Sequence, residues 1–148
     1  MKTKTMLLAI LLGMSSIAFG QGYLGIGTGM SAHAWTMNLE TGFRNKYSVF
    51  EFEVKAAPIS QSVNEPGVFS LKAGYPIAFK KTDLLVIPMA EYAYMLYSQD
   101  VSKTVTYQNG WKMGAGLRLQ VYHLFVQADY VGRPYLQAGI IAIFRNRQ

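Results

Sequence analysis

Charged and apolar residues alternate along Val49 to Ala57, and this alternation constrains the chain more than any other feature. Within V-F-E-F-E-V-K-A-A, Glu51, Glu53 and Lys55 fall on one face, and the residues between them fall on the other. A period of two is that of a β-strand, whose successive side chains point to opposite faces of a sheet. The segment is predicted to be a strand with one apolar and one charged face, and the fold depends on which face is inside.

The start of the chain has the features of a secretory signal peptide. A basic start and an apolar run from Met6 precede a small-residue cleavage site at Ala18-x-Gly20. The run is well short of the ~20 apolar residues that a membrane-spanning helix needs. The predicted domains are therefore a signal peptide at residues 1–20 and one exported domain at residues 21–148.

The composition of the chain narrows the function classes. Cysteine is absent, so the exported domain has neither disulfides nor thiolate metal sites. The formal net charge is +6, but the basic residues do not form the long run of a nucleic-acid-binding arm. We predict no cofactor, no metal site and no nucleic-acid partner. No 18-residue apolar run follows Gly20, so a membrane-spanning domain would have to be a closed barrel.

Seven further segments repeat the alternation. They are Gly22 to Met30, Trp35 to Arg44, Val68 to Phe79, Leu84 to Tyr97, Trp111 to Tyr122, Leu124 to Tyr130 and Tyr135 to Arg145. Leu84 to Tyr97 is the least regular, because both of its faces are largely apolar. Eight segments in all predict an all-β fold, an eight-stranded antiparallel up-and-down transmembrane β-barrel.

Charged residues of both signs are predicted to line the interior of this barrel. The predicted lumen ion-pair network consists of Glu40, Glu51, Glu53, Lys55, Lys72, Glu91, Lys112, Arg118 and Asp129. An eight-stranded barrel is just wide enough inside to be filled by side chains, so these residues can pair there. Turning its four cations towards lipid would cost about 8–16 kcal/mol, at ~2–4 kcal/mol each. The alternative is a soluble periplasmic barrel, similar to a lipocalin, which buries its apolar face and binds a ligand.

Aromatic residues occur near both ends of the apolar faces. The predicted aromatic girdles are Trp35, Phe69, Trp111 and Tyr130 at one rim, and Phe43, Phe79 and Phe144 at the other. Two bands are expected where a barrel meets the two membrane interfaces, whereas a single buried core does not require them. Short turns at one end and longer loops at the other are also typical of outer-membrane barrels.

The whole pattern resembles the small outer-membrane β-barrel proteins of Gram-negative bacteria, and is similar to the membrane domain of outer membrane protein A. The most specific part of the likeness is the end of the chain, where Gln137, Gly139, Ala142 and Phe144 resemble the C-terminal assembly signal of this group. The resemblance implies an outer-membrane location and insertion by the barrel-assembly machinery.

Few residues are candidates for catalysis. Ser31 and His33 lie in the first loop, where a barrel enzyme that modifies membrane lipid would place a nucleophile and its base. Glu40, the nearest acid, is predicted to face the lumen, and His123 lies in a turn at the opposite rim. We therefore predict no enzyme, but a structural or surface-interaction barrel with a side-chain-filled lumen rather than a wide pore. The lipid-modifying enzyme is an alternative.

Basic residues collect at the turn end of the predicted barrel. They are Arg44, Lys46, Lys80, Lys81, Arg145 and Arg147, against the single acid Asp83. Contact with outer-membrane lipid headgroups accounts for them. The sharper hypothesis is docking to an anionic periplasmic or cell-surface partner. At the opposite end, Ile59 to Gly67 and Ser98 to Gly110 are the predicted contact loops.

Overall fold

The computed structural model describes residues 20–32, 34–57, 66–79, 81–97 and 109–144. The strands in these residues are β1 (Gln21–Ser31), β2 (Trp35–Arg44), β3 (Val49–Ala56), β4 (Gly67–Gly74), β5 (Ile77–Ala78), β6 (Leu84–Leu96), β7 (Gly110–Val121), β8 (Leu124–Tyr130) and β9 (Pro134–Phe144). Neighbouring strands follow the order β4-β3-β2-β1-β9-β8-β7-β6-β5. A further pairing of β4 with β6 closes the sheet into a barrel, and every pair is antiparallel.

β4 and β5 are two parts of one barrel strand. Their pairing with β6 follows one continuous register. The ladder is interrupted at Tyr75 and Pro76, opposite Pro88, because proline has no N–H to donate. The barrel therefore has eight antiparallel strands, as the alternation predicts. The predicted strand Val68 to Phe79 is not continuous, since it breaks at Pro76.

The other strands agree with the predicted segments to within one residue at each end. Residues 45–48 and 122–123 connect strands at one end of the barrel, the turn end. β3 ends and β4 begins at the opposite end, the loop end, as do the end of β6 and the start of β7. The predicted signal peptide, apart from Gly20, and most of the two predicted contact loops lie outside the described residues.

A side-chain hydrogen bond joins two connections at the turn end. Tyr122 has a φ of 52°, in the left-handed region that tight hairpin turns use. Its hydroxyl donates to the Asp83 carboxylate, in the connection before β6. This hydrogen bond raises the pKa of the Tyr122 hydroxyl above its usual value.

The outer face of the barrel is apolar, and its charged strand faces point inward. In β7, Leu117 and Leu119 are 46% and 44% exposed, whereas Arg118 between them is 1% exposed. In β3, Phe50 and Phe52 are exposed and the glutamates on either side of Phe52 are buried. The charged face of these strands is therefore the inner one. Within the described part of the chain, no helix is long and apolar enough to cross a membrane.

Candidate functional site in the barrel interior

Side chains fill the interior of the barrel in three layers. The turn-end apolar layer consists of Tyr23, Val49, Ile87, Met89, Phe125 and Ile141. The loop-end apolar layer consists of Val68, Ala93, Met95, Tyr97, Val131 and Tyr135. Between them lies the charged cluster, which consists of Glu40, Glu51, Glu53, Lys55, Lys72, Glu91, Arg118 and Asp129, each at most 4% exposed.

Arg118 of β7 forms the part of the charged cluster nearest the turn end. One guanidinium nitrogen, Nη2, lies 2.8 Å from Glu40 Oε2 and 2.8 Å from Glu51 Oε2. Its Nε donates to the Gln127 side-chain carbonyl at 2.6 Å. The Tyr23 hydroxyl also donates to Glu51, at 2.7 Å. One cation thus links β2, β3 and β8 across the lumen.

Two lysines form the rest of the charged cluster. Lys55 Nζ lies 2.8 Å from Asp129 Oδ2, 3.2 Å from Glu53 Oε2 and 3.6 Å from Glu91 Oε1. Lys72 Nζ contacts Glu53 and lies 3.1 Å from Asp129 Oδ2. The two ammonium groups therefore share the carboxylates of Glu53 and Asp129. Ion pairs in the cluster connect β2, β3, β4, β6, β7 and β8.

The remaining two barrel strands join the charged cluster through neutral side chains. Tyr23 extends from β1 to Glu51, and Gln137 of β9 donates from Nε2 to Asp129 Oδ2 at 2.9 Å. Gln127 of β8 donates to the same oxygen at 2.7 Å. All eight barrel strands are therefore tied together through the lumen, in addition to their backbone pairing.

Two of the cations also contact the apolar layers. The Arg118 guanidinium lies 4.7 Å from the ring centre of Phe125, in the turn-end layer. Lys55 Nζ lies 4.9 Å from the ring centre of Tyr135, in the loop-end layer. A cation over an aromatic face is attracted by the ring quadrupole. Each apolar layer thus contacts the charged cluster through one of these cations.

The formal charges of the cluster do not balance. It contains five carboxylates and three cations, and the acids are in excess by two. Glu91 has only Lys55, at 3.6 Å, as an ion-pair partner among the described residues. Because an unpaired buried charge costs several kcal/mol, each of the three cations has a large effect on the stability of this layer.

Lys112 differs from its prediction. It is the one predicted network residue that is exposed, and it makes no ion pair with a described residue. It lies two residues after the start of β7, at the loop end, where its side chain passes Gly132. Strand alternation predicts that Lys112 and Arg118 share a face of β7. It does not predict how far along the barrel axis each side chain lies.

Little space remains behind Arg118. A cavity behind Arg118, bounded by Tyr23, Ile87 and Ile141 of the turn-end layer, has a volume of about 10 Å³. A water molecule needs roughly 10–15 Å³ of such volume. At this level the interior therefore has room for about one water molecule and not for a solute.

The structure is similar to that of a known barrel domain, although no family model and no curated protein sequence matches the chain. The crystal structure of the N-terminal β-barrel domain of Pseudomonas aeruginosa OprF matches with a TM-score of 0.62. The match covers 83% of this chain and 99% of that chain, at 15% sequence identity. This chain has the fold of an OprF-type β-barrel domain.

The predicted girdle residues lie on the outer face of this barrel, between 37% and 64% exposed. Trp111 stacks on Tyr92, with ring centres 4.7 Å apart and planes 5° apart. It also meets Tyr94 edge to face at 5.1 Å. These three rings form an aromatic cluster on the outer surface near the loop end.

The residues of the predicted assembly signal divide between the two faces of β9. Gln137 is buried and bonded to Asp129, and Gly139 faces inward next to Phe125. Ala142 and Phe144 face outward. Gln137 therefore has a structural role in the lumen that the sequence pattern did not indicate.

Backbone contacts hold two of the candidate catalytic residues, Ser31 and His123. The Ser31 hydroxyl accepts a hydrogen bond from the Ala34 N–H at 3.1 Å. His123 Nδ1 lies 2.9 Å from the Ile141 carbonyl oxygen, and Glu40 is paired with Arg118 in the lumen. His33 lies outside the described residues.

In the described part of the chain, no group of three His, Cys, Asp or Glu side chains could hold a metal ion.

A glycine makes room for one of the buried carboxylates. A Cβ placed on Gly25 would lie 2.6 Å from Glu40 Cγ, whereas a Cβ on Gly110 would meet nothing within 4 Å. We expect Gly25→Val to displace Glu40 from Arg118 and to lower the free energy of unfolding by about 1–3 kcal/mol. Gly110→Val, the matched control, should change it by less than about 0.5 kcal/mol. Denaturant unfolding in detergent micelles measures both, and equal losses would contradict the close approach at Gly25.

Proposed function

We propose that this chain is an integral outer-membrane β-barrel protein with a structural or surface-interaction role, and that it does not form a wide pore. The observation that carries the proposal is that the outer face of the barrel is apolar, while a cluster of charged side chains is buried inside. Leu117, Leu119 and Val121 of β7 point outward, and Arg118 and Gln120 point inward. A continuous apolar surface of this kind marks a membrane or protein contact.

Two further observations and one sequence prediction support an outer-membrane location. The fold is similar to the barrel domain of OprF. Most of the long strands have lengths close to the roughly 9–11 residues of a transmembrane strand. The predicted signal peptide would direct export of the chain. The outward Ala142 and Phe144 are accessible on the last strand, where we propose that the barrel-assembly machinery reads them.

Membrane extraction tests this location. The folded protein should stay with the membrane pellet through carbonate washing and require detergent for release, because its exterior is apolar. Boiling should change its migration in a denaturing gel, as unfolding of a closed barrel exposes the whole chain to detergent. Release without detergent, together with unchanged migration, would favour the soluble periplasmic barrel instead.

The layers in the lumen support the proposal that the barrel does not form a wide pore. Both apolar layers and the charged cluster lie across the path between the two ends of the barrel. In planar bilayers, the purified protein should give no large steady conductance, whereas a general porin run in parallel should give one. A stable open level of porin size would contradict the filled lumen.

The two ends of the barrel are the proposed contact surfaces. At the turn end, Lys46 and Lys81 are exposed and suited to anionic lipid headgroups or to an anionic periplasmic partner. At the loop end, the connections after β3 and β6 are the longest in the chain. Surface recognition generally resides in such loops. We propose that any cell-surface partner is bound there.

A further inference from the structure

A cavity of about 680 Å³ opens at the turn end of the barrel. The polar residues that line this cavity, the vestibule, are Gln21, Arg44, Thr82, Asp83, Gln120, Tyr122 and His123. Its apolar floor includes Leu85 and Ile143, which pack against the turn-end apolar layer. Arg44, Gln120 and Ile143 also line the cavity of about 10 Å³ behind Arg118, so too little space for a solute continues from the vestibule towards the charged cluster.

Arg44 is the unusual residue of the vestibule. Its side chain is half-buried, and its Nη1 donates to the Gln120 side-chain carbonyl at 3.2 Å. No carboxylate of the described residues forms an ion pair with it. A guanidinium has five N–H donors in a fixed planar arrangement. Partial burial of this charge without an ionic partner is unfavourable, and an anion in the vestibule would relieve that cost.

The neighbours of Arg44 limit what that anion can be. Gln120 is already bonded on both sides, since its Nε2 donates to the Tyr122 carbonyl at 2.8 Å. Asp83, at the rim, would repel a second negative charge on the ligand. The volume lies within the roughly 300–1,000 Å³ of small-molecule sites. A ligand with one anionic group and a small apolar part suits these walls.

We propose that the vestibule binds a small singly charged oxyanion, a carboxylate or a phosphodiester, through Arg44. The planar guanidinium matches both groups with two parallel hydrogen bonds. The apolar part of the ligand lies over Leu85 and Ile143. Such an anion has two sources, a free metabolite and a lipid headgroup. The inference depends on the shape and charge of the turn end, and it goes beyond the proposed membrane role.

Titration of the folded full-length protein in zwitterionic detergent micelles tests the site. The probes are phenylacetate, as a free carboxylate, and dihexanoyl phosphatidylglycerol, as a lipid phosphate. Binding is followed by isothermal titration calorimetry. At least one probe should bind saturably, and Arg44→Gln should weaken it about tenfold or more, since hydrogen bonds to charged groups contribute about 1.5–3 kcal/mol. Lys81→Gln, an exposed cation at the same end, should change the affinity less than about twofold.

The set of probes that bind decides whether the proposal holds and whether the anion is a free metabolite or a lipid headgroup. Saturable binding of phenylacetate that requires Arg44 indicates a free carboxylate, and the same result with the phosphatidylglycerol alone indicates a headgroup. The neutral amide phenylacetamide should not bind the unaltered protein, a control that does not depend on how well the Arg44 variant folds. Saturable binding of neither probe, equal binding of the amide, or an affinity unaffected by Arg44→Gln in a folded variant would each overturn the proposal.

Discussion

Replacing Arg118 with methionine should lower the free energy of unfolding by about 3–5 kcal/mol, the cost of removing one partner from a buried ion pair. The substitution removes the 2.8 Å contacts to Glu40 and Glu51 and the 2.6 Å hydrogen bond to Gln127. It also removes the cation that lies over Phe125. Five buried carboxylates would then share two cations. Methionine keeps most of the side-chain volume of arginine. The loss of stability would therefore come from the missing charge and not from a cavity.

Lys112→Met is the matched control for this substitution. Lys112 lies in the same strand and on the same face as Arg118, but it is exposed and makes no ion pair with a described residue. Its replacement should change the free energy of unfolding by less than about 0.5 kcal/mol. Urea unfolding in lipid vesicles, followed by the fluorescence of Trp35 and Trp111, measures both variants. Similar effects at the two positions would show that the charged cluster is not a stabilising element.

The strands and their faces could be predicted because a period of two is a local property of the sequence. The alternation along Val49 to Ala57 gave the boundaries of β3 to within one residue. It also gave Glu51 and Glu53 a common face, and the structure buries both. Only comparison of all eight segments predicts which face is inside, since one amphipathic strand suits a soluble core equally well.

The apolar layers of the lumen could not be predicted from alternation alone. Ile87 and Met89 share the inner face of β6 with Glu91, and this is why both faces of that segment are largely apolar. A pattern of faces carries no information on depth along the barrel axis. Depth depends on the register between strands, which brings Ile87 next to Phe125 and Tyr23 from distant parts of the chain. Because alternation does not give depth along the barrel axis, it also predicts Lys112 to be part of the charged cluster.

The vestibule likewise depends on distant segments. Arg44 appears in the sequence as one of several basic residues near short turns. The closed barrel brings it to Gln120, which is 76 residues away in sequence. Burial distinguishes Arg44 from Lys46 and Lys81, and burial at a barrel mouth follows from closure of the sheet. A site of this kind can be found only after the register of all the strands is known.

An arginine on the outer face should destabilise the barrel according to its depth in the bilayer. Ile26 lies in the middle of β1, opposite Leu39 and Ile140, and is 50% exposed. Met30 lies on the same face near the loop end, opposite Trp35, and is 53% exposed. Ile26→Arg should lower the free energy of unfolding by about 2–4 kcal/mol, because it places a charge near the bilayer midplane. Met30→Arg should cost only about 0–1 kcal/mol, because it reaches the interface.

The comparison separates a membrane environment from an aqueous one. Both positions are equally exposed in the isolated barrel, so a protein that functions in water would gain a soluble surface charge at either position. In phospholipid vesicles, the free energies of unfolding of the two variants should therefore differ by about 2 kcal/mol or more, with Ile26→Arg the less stable variant. The difference should shrink in short-chain detergent, which adapts around a charge more readily than a bilayer. Equal stabilities in vesicles would contradict the assignment of the apolar face to the membrane.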